Sequence, residues 1–115
     1  MLRNLFRSRP TFASISVRDL KAKLDAHDPI MLIDVRQPEE FKSGHVAGAR
    51  SLPLPMLATR LDKLAKDAAI YCICLSGGRS QTASDLLVRQ GFTNVTNVVG
   101  GMSAWQQAGL PSTRG

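Results

Sequence analysis

The seven residues Cys74-Leu75-Ser76-Gly77-Gly78-Arg79-Ser80 have types and spacing that could do chemistry. A thiolate is a strong nucleophile, and it forms near neutral pH only where its surroundings favour negative charge. Gly77 and Gly78 lack a Cβ, so the backbone can curl there and turn successive N–H groups inward as a nest for an anion. Arg79 adds a charge that persists at any working pH. The pattern predicts Cys74 as a nucleophile, with Leu75, Ser76, Gly77, Gly78, Arg79 and Ser80 binding the sulfur or an anionic group attached to it.

Such a loop needs elements that present it. Ile70-Tyr71-Cys72-Ile73 is a short apolar, β-rich run that delivers Cys74 to the loop, and the apolar spacing after Ser80 is helical. That order places Cys74 at a strand's carboxyl end, where open α/β sheets bind ligands and the next helix aims its free N–H groups. The rest of the chain alternates in the same way. Residues 12–15 predict a strand, and Ser16 caps a helix with Val17, Leu20 and Leu24 inward. Residues 30–34 form a buried strand, and Pro38 starts a short helix with Glu39 and Glu40 near its positive end. Residues 49–52 give a third strand. Pro53 and Pro55 break it, and Leu57, Leu61, Leu64 and Ala65 then mark the inner stripe of one helix. Beyond the loop, Ala83, Leu86, Leu87 and Gln90 share a helix face that Gly91 terminates. Residues 95–99 are a fifth strand, and residues 102–108 a last helix that buries Trp105. Strands alternating with helices argue for a parallel α/β sheet covered on both faces, with right-handed crossovers.

Three segments in order, Ile33-Asp34-Val35-Arg36 continuing through Glu39 to Ala49, the Cys74 loop, and Gly100-Gly101-Met102-Ser103-Ala104-Trp105, resemble the single-domain rhodanese-like sulfurtransferases. The resemblance covers the chain from about residue 15 to 111. It implies a rhodanese-like, five-stranded parallel sheet and catalysis by Cys74 without metal or organic cofactor. A sulfane sulfur would pass from a small anionic donor, thiosulfate or a low-molecular-weight persulfide, to a thiol or cyanide through a Cys74 persulfide. A protein sulfur acceptor is a further partner it suggests. Asp34 would brace the loop by facing Arg79, with Arg36 supporting at the same sheet edge, and His45 would be structural. The same residues would serve a carrier or regulatory binding module that holds a persulfide for one partner protein. A phosphatase or arsenate reductase is the weaker alternative, since phosphatases of this fold have one more residue between the cysteine and the arginine. Leu75 stands where the family often has a charged or polar residue, which leaves the entrance less cationic.

Bulk properties bound these readings. A chain of 115 residues makes one domain that can bury roughly two-thirds of its unfolded surface. With 43% hydrophobic and 21% charged residues it reads as an ordinary soluble globular protein, and no apolar run could span a bilayer. Half of the net charge of +6 comes from Arg3, Arg7 and Arg9, and the other basic residues are scattered without aromatic interleaving. That excludes a nucleic-acid footprint and suits small anionic substrates. Residues 1–11 read as a basic, flexible extension and residues 12–115 as the domain. The expected location is cytoplasmic, with organellar import through the basic extension as the minor alternative. Cys72 and Cys74 lie at strand spacing on one face, where a bridge between them would be strained. Cys72 therefore reads as a core thiol, with resolution of an oxidised or persulfidated Cys74 as the sharper alternative. His27 and His45 have no metal-ligand spacing.

Overall fold

The computed structural model describes residues 11–115, so the basic extension expected over residues 1–11 lies outside the described residues apart from Thr11. The strands are β1 (Ala13–Ile15), β2 (Met31–Asp34), β3 (Arg50–Ser51), β4 (Ile70–Ile73) and β5 (Val95–Val98). The helices are α1 (Val17–Asp25), α2 (Pro38–Ser43), α3 (Leu54–Leu57), α4 (Gly78–Arg89) and α5 (Gly101–Gln107), with a 3₁₀ turn at Leu61–Lys63. All strand pairs are parallel, in the order β1-β5-β4-β2-β3. The expected five-stranded sheet is present, with β4 at its centre and the winding direction reversing beside it. That reversal opens the crevice at the strands' carboxyl ends in which α/β folds place ligands.

β4 reads as a continuous apolar run because both of its faces are covered. Ile70 and Cys72 join Ile33, Leu57, Leu87 and Phe92 in one core layer, with α4 packed over it. Tyr71 and Ile73 join Leu20, Leu32, Met102 and Trp105 in the other, beneath α1 and α5. The period of two continues into the loop, since Cys74 belongs to the same layer as Cys72.

The local signals act as their chemistry dictates. Ser16 Oγ accepts the Asp19 N–H at 3.1 Å and caps α1. α4 is stopped at Gly91, whose φ of +93° is the left-handed turn that glycine adopts without strain. One expectation fails: the stripe of Leu57, Leu61 and Leu64 does not ride on a single helix. α3 has four residues, Arg60 leaves the helical basin at φ −117° and ψ 7°, and Leu64 is extended. Leu57 at the end of α3, Leu61 in the 3₁₀ turn and the extended Leu64 all pack on the β4–α4 layer without one continuous helix to carry them. Among the described residues, no helix is long and apolar enough to cross a membrane.

The tightest backbone approach joins the two ends of the crevice. Gly101, at φ +54°, leaves no room for a Cβ, which would clash with the Cys74 carbonyl oxygen and lie 2.7 Å from that of Leu75. Gly91 also has positive φ but faces open space. Gly101→Ala is expected to destabilise the fold by about 3 kcal/mol or more, and Gly91→Ala by about 1–2 kcal/mol from backbone strain alone. Urea unfolding of the two variants checks the difference.

Candidate active site

The chain turns from β4 into α4 around one sulfur atom. Cys74 Sγ accepts the N–H of Gly77 at 3.0 Å, and Gly77 sits at φ +114° ahead of the first turn of α4. A left-handed residue followed by helical ones aims successive amides at one point. Cys74 as a thiol donates to Ser80 Oγ at 3.3 Å, and Ser80 donates its own proton to the Gly77 carbonyl at 3.1 Å. A hydroxyl has one proton to give, so deprotonation of Cys74 frees Ser80 to turn and donate to the sulfur. Burial raises the Cys74 pKa, but the Ser80 hydroxyl and the amides of Ser80, Gly77 and Arg79 outweigh it and hold the thiol below its ordinary 9.0.

Access is narrow. Cys74 is 1% exposed, whereas Leu75, Ser76 and Gly78 above it are exposed. In this conformation the sulfur lies just beneath that rim with almost no solvent contact.

The charges are paired differently from the expectation. Arg79 donates from Nη1 to Glu40 Oε1 at 2.6 Å and from Nη2 to Oε2 at 3.0 Å, a fork-on-fork pair with α2. Asp34 does not face Arg79 as a hydrogen-bond partner. Its carboxylate accepts Nε and Nη2 of Arg36 at 2.8–3.2 Å and the Arg36 amide at 3.0 Å. The reason is reach: Arg36 follows two residues after Asp34 and is buried with it, and its Nη2 also donates to the Gly44 carbonyl at 2.8 Å. Asp34 and Arg36 thereby fasten the end of β2 to the end of α2, the helix that presents Glu40. Glu40 was legible in the sequence only as a residue complementing a helix dipole, and no sequence spacing pairs it with Arg79, 39 residues on.

The remaining candidates are structural. His45 Nδ1 bonds the Phe41 carbonyl at 2.8 Å, and its ring stacks on Phe41 with centroids 3.6 Å apart. Cys72 is fully buried, and burial, eased by Ser84 and reinforced by the neighbouring Cys74, pushes its thiol up to about 12. It keeps its proton, which fits a core thiol rather than a nucleophile that resolves Cys74. The Gly100-Gly101 turn has a direct hold on the site. The first free amides of α5, Met102 and Ser103, donate to the carbonyls of Cys74 and Leu75 at 2.8 Å each. The helix N-terminus is thus used to fix the loop's carbonyls while its amides face the sulfur.

Comparison with known proteins agrees with this fold. The family described as Rhodanese-like domain matches residues 16–108. A protein named "Sulfurtransferase" from Allochromatium vinosum is 34% identical over 84% of this chain and 91% of its own length. "Thiosulfate sulfurtransferase GlpE" of Pseudoalteromonas translucida is 33% identical over the same shares. The "Putative sulfur carrier protein YrkF" of Bacillus subtilis is 38% identical over 79% of this chain, which spans about half of that relative's length. Among solved structures, a rhodanese-related protein from Thermoplasma volcanium superposes with a TM-score of 0.80 at 29% identity, covering 89% of this chain and 98% of the other.

Two measurements check the electrostatics. Absorbance titration at 240 nm is expected to show one thiolate appearing below pH 9.0 and lost in Cys74→Ser, and another near pH 12 lost in Cys72→Ser. Glu40 is held down to about 2 from its ordinary 4.5, chiefly by the hydrogen bonds from Arg79. A carboxyl depressed on folding stabilises the protein above its unfolded pKa, and that stability is lost as pH falls from 4.5 toward 2. Glu40→Gln is expected to be less stable than the wild type at pH 7 and to flatten the acid limb of stability against pH, read by urea midpoints.

Proposed function

This chain belongs to the rhodanese-like domain family, and on that footing we propose that it moves a sulfane sulfur from thiosulfate or a low-molecular-weight persulfide to a thiol or cyanide, with Cys74 as the carrier. A sulfurtransferase-type role follows from the family and its relatives, and the substrates and residue roles are our reading. The observation that supports it best is the sulfur of Cys74 ringed by the Gly77 amide at 3.0 Å and by the amides of Arg79 and Ser80. In the first step the Cys74 thiolate attacks the outer sulfur of thiosulfate. A Cys74 S–S bond forms, the sulfur–sulfur bond of thiosulfate breaks, and sulfite leaves with the electron pair. Cys74 then ends in –S–S⁻, whose outer sulfur takes the place among the amides that the thiolate held. A thiolate or cyanide attacks that outer sulfur, leaves as persulfide or thiocyanate, and restores the Cys74 thiolate.

The catalytic contribution of the cradle is electrostatic, since its donors are already oriented when negative charge moves one atom outward. Losing one such donor in comparable sites costs roughly 3–4 kcal/mol of transition-state stabilisation. Ser80 adds a switchable donor, and the Glu40–Arg79 pair fixes the far wall of the loop. The buried sulfur also favours a second reading, a carrier that shields its persulfide until one partner protein takes it. Multiple turnover with small acceptors separates the two.

Intact-mass spectrometry after thiosulfate or persulfide treatment is expected to show one added sulfur on the wild type and on Cys72→Ser, and none on Cys74→Ser. Added sulfur located on Cys72 would overturn the assignment.

A further inference from the structure

Among the described residues, the loop over Cys74 carries one cation, which is already paired, and its exposed rim sets the apolar Leu75 beside Ser76 and Gly78. Among the described residues the exposed large hydrophobic side chains are Met56, Leu75 at 42% and Val99 at 52%. Leu75 belongs to the loop itself, and Val99 stands one residue before the turn packed against it. Leu75 directly follows Cys74, and its carbonyl accepts the Ser103 amide of α5 at 2.8 Å. Val99 directly precedes the Gly100-Gly101 turn, which is packed against the loop: a Cβ on Gly77 would lie 3.5 Å from the Gly100 amide nitrogen. Arg79, the loop's only charged residue, has both arms of its guanidinium on Glu40. Among the described residues of the loop, a compact dianion finds the one guanidinium already paired, and it leaves Leu75 and Val99 in water. A ligand with hydrocarbon beside its sulfur covers both side chains, and each apolar area removed from water favours binding.

We infer that the exchange partners of Cys74 are primary thiols and their persulfides whose segment next to the sulfur is apolar, seated on Leu75 and Val99, in preference to inorganic anions. This rests on the sulfur-transfer reading above and narrows its substrate class. The buried position of Cys74 adds a steric reason against thiosulfate, because an unbranched –CH₂–S arm is slimmer than a sulfur that carries a tetrahedral sulfonate group. The donor step balances as Cys74–S⁻ with R–CH₂–S–SH giving Cys74–S–SH and R–CH₂–S⁻: one S–S bond forms, one breaks, and the released thiolate keeps the electron pair. The acceptor step is its reverse with a second thiol of the same class.

The test uses the purified full chain, loaded with sulfur and mixed under single-turnover conditions with 1-butanethiol, 2-mercaptoethanol or 2-mercaptoethanesulfonate. Rates are expressed per thiolate to remove differences in thiol acidity. The expected result is a butanethiol rate roughly tenfold above that of the sulfonate, and a ratio reduced about threefold in Leu75→Ser and about threefold in Val99→Ser, the two contacts together accounting for the preference. Equal rates, a preference for the sulfonate, or a ratio unmoved by both substitutions would overturn the inference and leave sulfur transfer standing. Failure of Cys74 to load with sulfur from any donor would instead remove the transfer reading, and this inference with it. Both side chains are exposed, and circular dichroism of each variant verifies the fold before its ratio is used.

Discussion

Everything at this site depends on reversing the chain within three residues around a sulfur atom while each backbone group still finds a partner. Amides turned inward onto Cys74 leave their carbonyls facing elsewhere, and a buried carbonyl without a donor is costly. The fold solves this from two directions. The N-terminus of α5 donates to the Cys74 and Leu75 carbonyls, and the Ser80 hydroxyl and Gln81 amide donate to that of Gly77. The close approach this needs is why Gly101 cannot carry a side chain. A turn that looks remote from the chemistry is therefore what keeps the sulfur's cradle shaped before any substrate arrives.

Cys72 and Cys74 show how much of cysteine chemistry comes from surroundings. They lie two residues apart, face the same core layer, and are both almost fully buried. Burial raises both thiols. It wins at Cys72, where Ser84 is the one neighbour that offsets it, and loses at Cys74, where three amides and a hydroxyl oppose it. The strand ends between them, and only a residue beyond the last strand pairing meets amides that are not already committed to the sheet.

The two arginines near the site are both paired, with different consequences. Arg36 and Asp34 form a buried pair, 4% and 0% exposed, so removing either would leave an uncompensated charge in the interior, a loss of about 3–5 kcal/mol. Arg79 and Glu40 are partly exposed, so solvent screening keeps what they add to stability below what the buried pair adds. Their effect is positional: one carboxylate occupies the guanidinium of the loop and ties the loop to α2.

The sequence by itself determined the parallel α/β architecture, the place of Cys74 at the end of the central strand, and the glycine-rich turn behind it. These follow from short-range rules: the period of two through Ile70, Cys72 and Cys74, the Ser16 cap, the Gly91 stop, and the freedom of Gly77 to take positive φ. The broken course of the chain from α3 to Leu64 was not legible, because the apolar stripe records which residues face the core and not which backbone carries them there. Nor were the partners of the charges. Asp34 and Arg79 are both at the crevice, yet Asp34 meets the nearer Arg36 and Arg79 meets Glu40. Only the packing of α2 against the loop decided that, since pairing depends on angstrom-scale reach between segments far apart in sequence. The sealing of Cys74 is likewise a property of the assembled crevice, because solvent access at one atom is set by every element around it at once.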